Sequence, residues 1–292
     1  MKNKFHSFLI GFLPFFLMTS LFFRLNAASE SVNPLTKVRE WFILLGYDPS
    51  AIQVERAKLS HYDMAILDPD SHPPFSLFNP KTMRIAYLSV GEAEVYRSYW
   101  ERIKDESWIL GENPNWEGNY YVDIREKAWR RLILEEVIPK IVGQGFQGVM
   151  LDTLDTAEFL ETEFQYPGSY QAMIQLVRDI REKYPGLLLI SNNGFSILRN
   201  IAPWLSGLLV EDIYSMPDFE NGGYVRVPEA DRQYKIAMLQ PLMKQYGLPV
   251  FNIEYVDRRD KKLAVQCIKS SKKLGFIPYV AEKNLSEFSP VF

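Results

Sequence analysis

Eight short apolar segments recur along the chain, and stretches with helical spacing or polar composition separate them. A strand buried on both faces of a parallel sheet carries a continuous apolar run instead of an alternating one. Val149 to Leu151 and Leu187 to Ser191 have this composition. We therefore predict eight β-strands, within residues 40–47, 62–68, 83–91, 149–151, 187–191, 207–210, 248–253 and 276–280.

The segments between these strands mostly show the apolar periodicity of amphipathic helices. Helices are predicted over residues 48–59, 125–142, 169–184, 195–205, 231–246 and 261–274. Regular alternation of strand and helix implies a parallel sheet, and eight units in about 250 residues are typical of a closed barrel. The alternative is an open doubly wound sheet, but the phosphate-binding glycine motifs of such sheets are absent. The predicted fold class is α/β, a single (β/α)8 TIM barrel.

Three connections are predicted as loops, at residues 71–80, 93–119 and 215–228. The first is rich in proline, and the other two carry aromatic residues that include Trp108 and Trp116. Aromatic side chains in long loops either bind sugar faces or simply hold the loops together. Long loops at the mouth of a barrel suit a cleft for an extended polymer.

The N-terminus has the layout of a secretory signal peptide. Lys2 and Lys4 precede an apolar run over residues 8–23, and Ala27 and Ala28 offer small residues for cleavage. We predict a signal peptide at 1–28, one (β/α)8 domain at 29–292, and a secreted or periplasmic protein without stable membrane insertion after cleavage. An uncleaved N-terminal anchor is the alternative.

Charge and cysteine content narrow the class of partner. The formal charge of −3 becomes −6 after removal of residues 1–28, which contain three basic residues and no acid. An acidic protein of this kind is not expected to bind nucleic acid, whereas a neutral or cationic partner is compatible with it. The single cysteine, Cys267, cannot form an internal disulfide, so the fold depends on its core.

Acidic and amide side chains follow most of the predicted strands. The residues at or just beyond strand ends are Asp68, Glu92, Asp152, Asn192, Asn193, Glu211, Asp212 and Glu254. Each could merely cap the following helix. A barrel, however, gathers all strand ends at one mouth, which is where barrel enzymes carry their active sites. The set therefore indicates a functional site, with Asp152 in the stretch GFQGVMLDTLD at its centre.

Elimination then favours paired-carboxylate chemistry. The sequence contains three histidines and neither an H-E-x-x-H nor a G-x-S-x-G motif, which disfavours a zinc site or a serine nucleophile. We predict no cofactor, although a magnesium or calcium site made of carboxylates alone stays open as an alternative. Two carboxylates across a scissile bond, with aromatic platforms nearby, are typical of glycoside hydrolysis.

The motifs YDMAILDPD, AYLSVGEAE, GFQGVMLDTLD, ISNNG, LLVEDIYS and VFNIEYVD together resemble glycoside hydrolase family 114, the endo-α-1,4-polygalactosaminidase-like barrels. The resemblance implies a secreted hydrolase of α-1,4-linked galactosamine polymers, with Asp152 as nucleophile and Glu211 as acid/base in a retaining mechanism. One departure is Thr153, where the family usually has asparagine. The residues expected to contact substrate are Asp68, Tyr87, Glu92, Trp108, Asp155, Asn192, Asn193, Asp212, Glu254 and Tyr255.

Two other functions remain open at this point. The barrel could hydrolyse a different extracellular or cell-wall polysaccharide, because loop geometry sets sugar identity. It could also be a non-catalytic polysaccharide-binding barrel. The presence of both Asp152 and Glu211 argues against the second, since a protein that only binds has no need for two opposed acids.

Overall fold

A computed structural model describes residues 33–50 and 59–286, and its centre is an eight-stranded parallel sheet. The strands within these described residues are β1 Trp41–Leu44, β2 Met64–Leu67, β3 Met83–Ser89, β4 Glu92–Glu94, β5 Ile109–Glu112, β6 Asn119–Val122, β7 Gly148–Asp152, β8 Leu188–Asn192, β9 Gly207–Glu211, β10 Ser215–Pro217, β11 Tyr224–Arg226, β12 Val250–Tyr255 and β13 Ile277–Ala281. The parallel sheet runs β1-β2-β3-β7-β8-β9-β12-β13. Each predicted apolar segment supplies one of these strands, so the predicted barrel is confirmed.

Side chains at the seam between β1 and β13 bring the two edge strands together. The Trp41 indole donates a hydrogen bond of 2.9 Å to the Ile277 carbonyl. The same ring packs on Phe251 and Tyr279, with centroid distances of 5.4 and 5.5 Å. A buried tryptophan that satisfies its N–H in this way contributes both apolar contact and orientation. The sheet is thereby a nearly closed barrel.

Helices follow most barrel strands. They are α1 Trp100–Ile103, α2 Lys127–Leu132, α3 Ile138–Gly143, α4 Thr156–Thr162, α5 Ser169–Lys183, α6 Leu198–Ile201, α7 Glu229–Tyr246 and α8 Lys261–Lys273. A π-helical turn, Ile133–Val137, joins α2 to α3. Pro139 lacks an N–H and its ring crowds the carbonyl four residues earlier, so the widened turn before it relieves a clash within the predicted helix 125–142.

Two connections predicted as loops contain small antiparallel sheets. In the first, β4, β5 and β6 pair in the order β4-β6-β5, and in the second β10 pairs with β11. Each of these strands has three or four residues, too few for an alternating pattern to stand out. Their pairing depends on contacts made across the mouth of the barrel, which no local sequence pattern reports.

Some sequence predictions concern residues outside the described ones. The signal peptide at 1–28 and most of the helix predicted over 48–59 are among these. Within residues 33–50 and 59–286, no helix is both long and apolar enough to cross a membrane.

Candidate active site

Three neighbouring barrel strands end in polar side chains that meet at the mouth. Asp152, Asn192 and Glu211 are the last residues of β7, β8 and β9. The Asn192 amide nitrogen donates to Asp152 Oδ1 at 2.8 Å and to Glu211 Oε1 at 3.0 Å. Because one nitrogen bridges both oxygens, these oxygens lie within about 6 Å of each other, which is close to the carboxyl spacing of retaining glycosidases.

The chain turns sharply after each of these three side chains. Thr153, Asn193 and Asp212 follow them with φ of 59°, 46° and 60°. Asparagine and aspartate tolerate this left-handed conformation better than most residues, whereas a β-branched threonine rarely adopts it. Such strain persists where surrounding contacts impose it, and it is concentrated at functional sites.

The hydroxyl of Thr153 makes the contacts that hold its turn. Its Oγ1 accepts hydrogen bonds from the backbone N–H of Val90, at 3.2 Å, and of Gly91, at 2.8 Å. It also donates to the Asp152 carbonyl at 2.7 Å. The threonine that departs from the family pattern therefore connects the turn after β7 to the turn after β3.

Glu211 is the most strongly perturbed acid of this group. Burial, together with the negative charges of Asp152 and Asp212, raises the pKa of Glu211 to about 8. Hydrogen bonds from Asn192 and Tyr255 offset part of the rise. A carboxyl group in this environment holds a proton at neutral pH and can give it to a leaving oxygen.

Glu92 contributes a further buried acid to the same cavity. Its Oε1 accepts from the Asn113 amide at 2.9 Å, while Oε2 has no hydrogen-bond partner among the described residues. Burial raises the pKa of Glu92 to about 7; the charges of Asp152 and Asp155 add to the rise, and the Asn113 bond opposes it. An unpaired buried oxygen of this kind is costly unless a ligand or water completes it.

Arg97 binds a second group of acidic side chains near the mouth of the barrel. Its guanidinium contacts Asp68 at 2.9 Å, Asp70 at 2.9 Å and Glu94 at 2.7 Å. The Tyr96 hydroxyl also donates to Glu94. Arg97 and two of its partners, Asp68 and Glu94, are buried, so the guanidinium forms charge-assisted hydrogen bonds shielded from solvent, while Lys140 also contacts Asp70 at 2.7 Å.

Apart from Arg97, Lys140 and Asp212, the side chains described above line one cavity of about 560 Å³ at the carboxyl end of the barrel. Its wall contains nine of the residues predicted for the site: Asp68, Tyr87, Glu92, Asp152, Asp155, Asn192, Asn193, Glu211 and Tyr255. Trp116 and Lys283 lie at its edge. Pockets of this size accommodate small ligands or a few units of a polymer.

The sequence profile of glycoside-hydrolase family GH114 matches residues 24–292. The chain belongs to this family, and it is a glycoside hydrolase. An uncharacterized protein of Deinococcus radiodurans is 28% identical over 87% of this chain and 83% of its own length. An uncharacterized protein of Methanocaldococcus jannaschii is 31% identical over 68% of this chain and 61% of its own length.

Two solved structures share the GH114 barrel. The glycoside hydrolase domain of PelA from Pseudomonas aeruginosa has a TM-score of 0.71 at 23% identity, covering 86% of this chain and 97% of that domain. Ega3 from Aspergillus fumigatus, solved in complex with galactosamine, has a TM-score of 0.61 at 16% identity, covering 85% and 92%. The TIM-barrel resemblance found in the sequence motifs is thus confirmed at the level of family and fold.

Three of the residues predicted to contact substrate, Trp108, Asp212 and Glu254, are not among the residues that line this cavity. Trp108 is buried against Trp129, with ring centroids 6.2 Å apart. Asp212 is absent from the residues that line the cavity, and its carbonyl accepts a hydrogen bond from the Lys235 ammonium at 2.9 Å. Glu254 is fully buried and accepts from the backbone N–H of Tyr214.

Four residues at or behind the GH114 site escaped the sequence reasoning: Arg97, Glu94, Asn113 and Lys235. Glu94 had a usable signal, since it alternates with Glu92 along β4 and so falls on the same face of that strand. Lys235 donates to the carbonyls of both Glu211 and Asp212 at 2.9 Å, from a helix that starts eighteen residues after Glu211. No local pattern connects such partners.

The described residues contain no group of three or more His, Cys, Asp or Glu side chains arranged to hold a metal ion.

Proposed function

We propose that the protein is an exported hydrolase of α-1,4-linked galactosamine-containing polysaccharide and that it retains anomeric configuration. The observation that carries the mechanism is the pair Asp152 and Glu211, bridged by the Asn192 amide at 2.8 and 3.0 Å. An inverting mechanism needs room for a water molecule between the base and the sugar. A spacing of this order does not leave that room. Export rests on the leader-like residues 1–28.

The first step transfers a glycosyl group to the enzyme. Glu211 holds a proton at neutral pH because its pKa is raised to about 8, and it gives this proton to the glycosidic oxygen as the bond to the anomeric carbon breaks. An ionised Asp152 oxygen attacks the anomeric carbon from the other face and forms an ester bond. The leaving chain departs with the proton of Glu211.

The second step returns the enzyme to its starting state. Glu211, now a carboxylate, takes a proton from a water molecule while that water attacks the anomeric carbon. The ester bond to Asp152 breaks, and the sugar leaves with its original anomeric configuration. Tyr87 and Tyr255, both buried at the cavity wall, are placed to orient the two carboxyl groups.

A protonated amino sugar suits the charge of this cavity. Asp68, Asp70, Glu92, Glu94 and Asp155 line it in addition to the catalytic pair, whereas Lys283 is the one lysine or arginine among its described lining residues. Complementary charge favours a cationic ligand both in encounter and in the complex. Glu92, whose Oε2 lacks a partner among the described residues, is our candidate for binding a sugar ammonium. Galactosamine is the sugar bound in the structure of Ega3.

The deciding test compares hydrolysis with binding on an α-1,4-galactosamine polymer. We expect the wild-type protein to release reducing ends, and proton NMR of the first products to show the α-anomer before mutarotation. Asp152→Asn should reduce turnover by at least about 10³-fold while the circular dichroism spectrum and Tm stay near those of the wild type. The swap removes the nucleophile but keeps the shape of the side chain.

Four results would count against the proposal. Full turnover by Asp152→Asn would remove this residue from its role. First products with the β-anomer would establish inversion. Binding of the polymer without any release of reducing ends would favour a non-catalytic polysaccharide-binding barrel. Release of reducing ends only from other polysaccharides would show that the substrate is a different polysaccharide.

A further inference from the structure

Two aromatic side chains from different loops meet at the edge of the cavity. Trp116 lies between β5 and β6, and Phe219 lies in the turn between β10 and β11. Their ring centroids are 6.4 Å apart and their planes are inclined by 79°. Trp116 is 48% and Phe219 57% exposed, so both rings keep faces open to solvent instead of packing into the core.

The ammonium group of Lys283 occupies the space between these rings. Its Nζ lies 4.1 Å from the Phe219 centroid and 5.6 Å from the Trp116 centroid, inside the range of a cation–π contact. No ion pair of Lys283 with a carboxylate occurs within the described part of the chain. The rings are therefore the groups that hold this cation, at the edge of an acidic cavity.

We propose that Trp116 and Phe219 form an outer subsite for the protonated amino group of a hexosamine unit, which Lys283 fills until substrate displaces it. The proposal rests on the proposed function. Trp116 and Lys283 line the same cavity as Asp152 and Glu211, so a polymer chain bound across the catalytic pair passes this point. The ammonium of lysine and that of an amino sugar are both primary and cationic, and the same ring faces attract both.

If substrate displaces Lys283 in this way, two substitutions should have opposite effects on the affinity for an amino sugar polymer. Removing the ring of Phe219 removes the subsite, so binding of an amino sugar polymer weakens. Removing the charge of Lys283 removes the internal competitor, so binding strengthens. If the three residues only held the loops together, both substitutions would loosen the same contact and weaken binding in the same direction.

The experiment measures dissociation constants by calorimetry for α-1,4-galactosamine oligomers, with each substitution placed in the Asp152→Asn background to prevent turnover. We expect Phe219→Leu to raise Kd about three- to tenfold and Lys283→Gln to lower it about two- to fivefold. Both effects should vanish with fully N-acetylated oligomers, which carry no ammonium. Matched controls are Phe164→Leu, another exposed aromatic, and Lys81→Gln, an exposed lysine at the opposite end of the barrel. Each should leave Kd unchanged.

Equal-signed changes in the two variants, or changes that persist with N-acetylated oligomers, would overturn the subsite. So would the absence of any binding by oligomers of either kind. The proposed function is judged separately by release of reducing ends from the wild-type protein. Opposite changes in Kd without hydrolysis would support the subsite and contradict the proposed hydrolase specificity. Hydrolysis without any change in Kd would support the specificity and contradict the subsite.

Discussion

Asn192 is the residue on which the two acids of the site depend. Its single amide nitrogen donates to both Asp152 and Glu211, and the bond to Glu211 favours the charged form of that carboxyl group and so lowers its pKa. The remaining forces on Glu211, burial and neighbouring negative charge, act in the opposite direction and raise its pKa to about 8. On balance Glu211 is protonated at neutral pH, and the hydrogen bond from Asn192 limits how far the pKa of Glu211 rises.

This balance predicts the pH dependence of activity. For the wild type, kcat/KM should fall as pH rises through about 8, because Glu211 then loses the proton that it must donate. Asn192→Ala should lower kcat/KM at neutral pH by about tenfold and move the alkaline limb to higher pH, since the bond that favours ionised Glu211 is gone. Asn200→Ala, on the exposed face of α6, serves as the control for loss of an amide. An alkaline limb that stays in place in Asn192→Ala would contradict this account.

At the level of secondary-structure elements, the turns of two separate βα units pack directly on each other. The turn after β3 contains Gly91, and the turn after β7 contains Thr153, whose hydroxyl accepts the Gly91 N–H at 2.8 Å. A Cβ on Gly91 would lie 2.3 Å from the Thr153 carbonyl oxygen and 2.6 Å from Thr156 Cβ. The close approach explains why a glycine occupies this position in the SVGEAE motif.

Gly91→Ala should therefore displace the turn that positions Asp152. We expect kcat to fall by at least about tenfold, and Tm to fall as well, because the added methyl group meets backbone and not a flexible chain end. Gly111→Ala is the matched control, since no atom lies within 4 Å of the Cβ that it would add. Initial rates and thermal unfolding of both variants provide the comparison, and wild-type kinetics in Gly91→Ala would show that the turns can separate without effect.

At the scale of the whole molecule, the barrel buries several acids whose pKa values are raised. Burial is the main cause for Glu92, at about 7, for Glu211, at about 8, and for Glu254, at about 7. Between their ordinary pKa values and these raised ones, the folded protein holds protons that the unfolded chain releases. The free energy of unfolding therefore decreases as pH rises through this range, because the buried acids must then lose their protons in the folded protein.

We expect Tm to fall by at least about 5 °C between pH ~5 and pH ~8.5. Glu254→Gln should reduce that fall, because the amide does not titrate while its oxygen still accepts from Tyr214. Asn252 Oδ1, which lacks a partner among the described residues, can receive the new amide hydrogen after a flip of its side chain. A Tm that is constant across this range in the wild type would be the contrary result, and differential scanning calorimetry in buffers of matched ionic strength measures it.

The sequence by itself determined the eight strands, the long helices and the acids at the strand ends. Buried parallel strands are continuous apolar runs and amphipathic helices have a 3.6-residue period, so both leave local patterns. The strand-end rule was enough to select Asp152, Asn192 and Glu211 as neighbours. It also selected Asp212 and Glu254, which do not line the cavity, because position at a strand end does not by itself place a side chain on the cavity wall.

Only the tertiary structure decided which of these side chains face one another. The Asn192 bridge, the Arg97 cluster and the contact of Lys235 with the carbonyl of Glu211 each join residues far apart in sequence. The same is true of the small sheets in the two long connections, and of Trp108, whose ring packs inward. Contacts of this kind depend on register, loop paths and the packing of neighbouring layers, and these are properties of the folded chain as a whole and leave no periodic trace in the sequence.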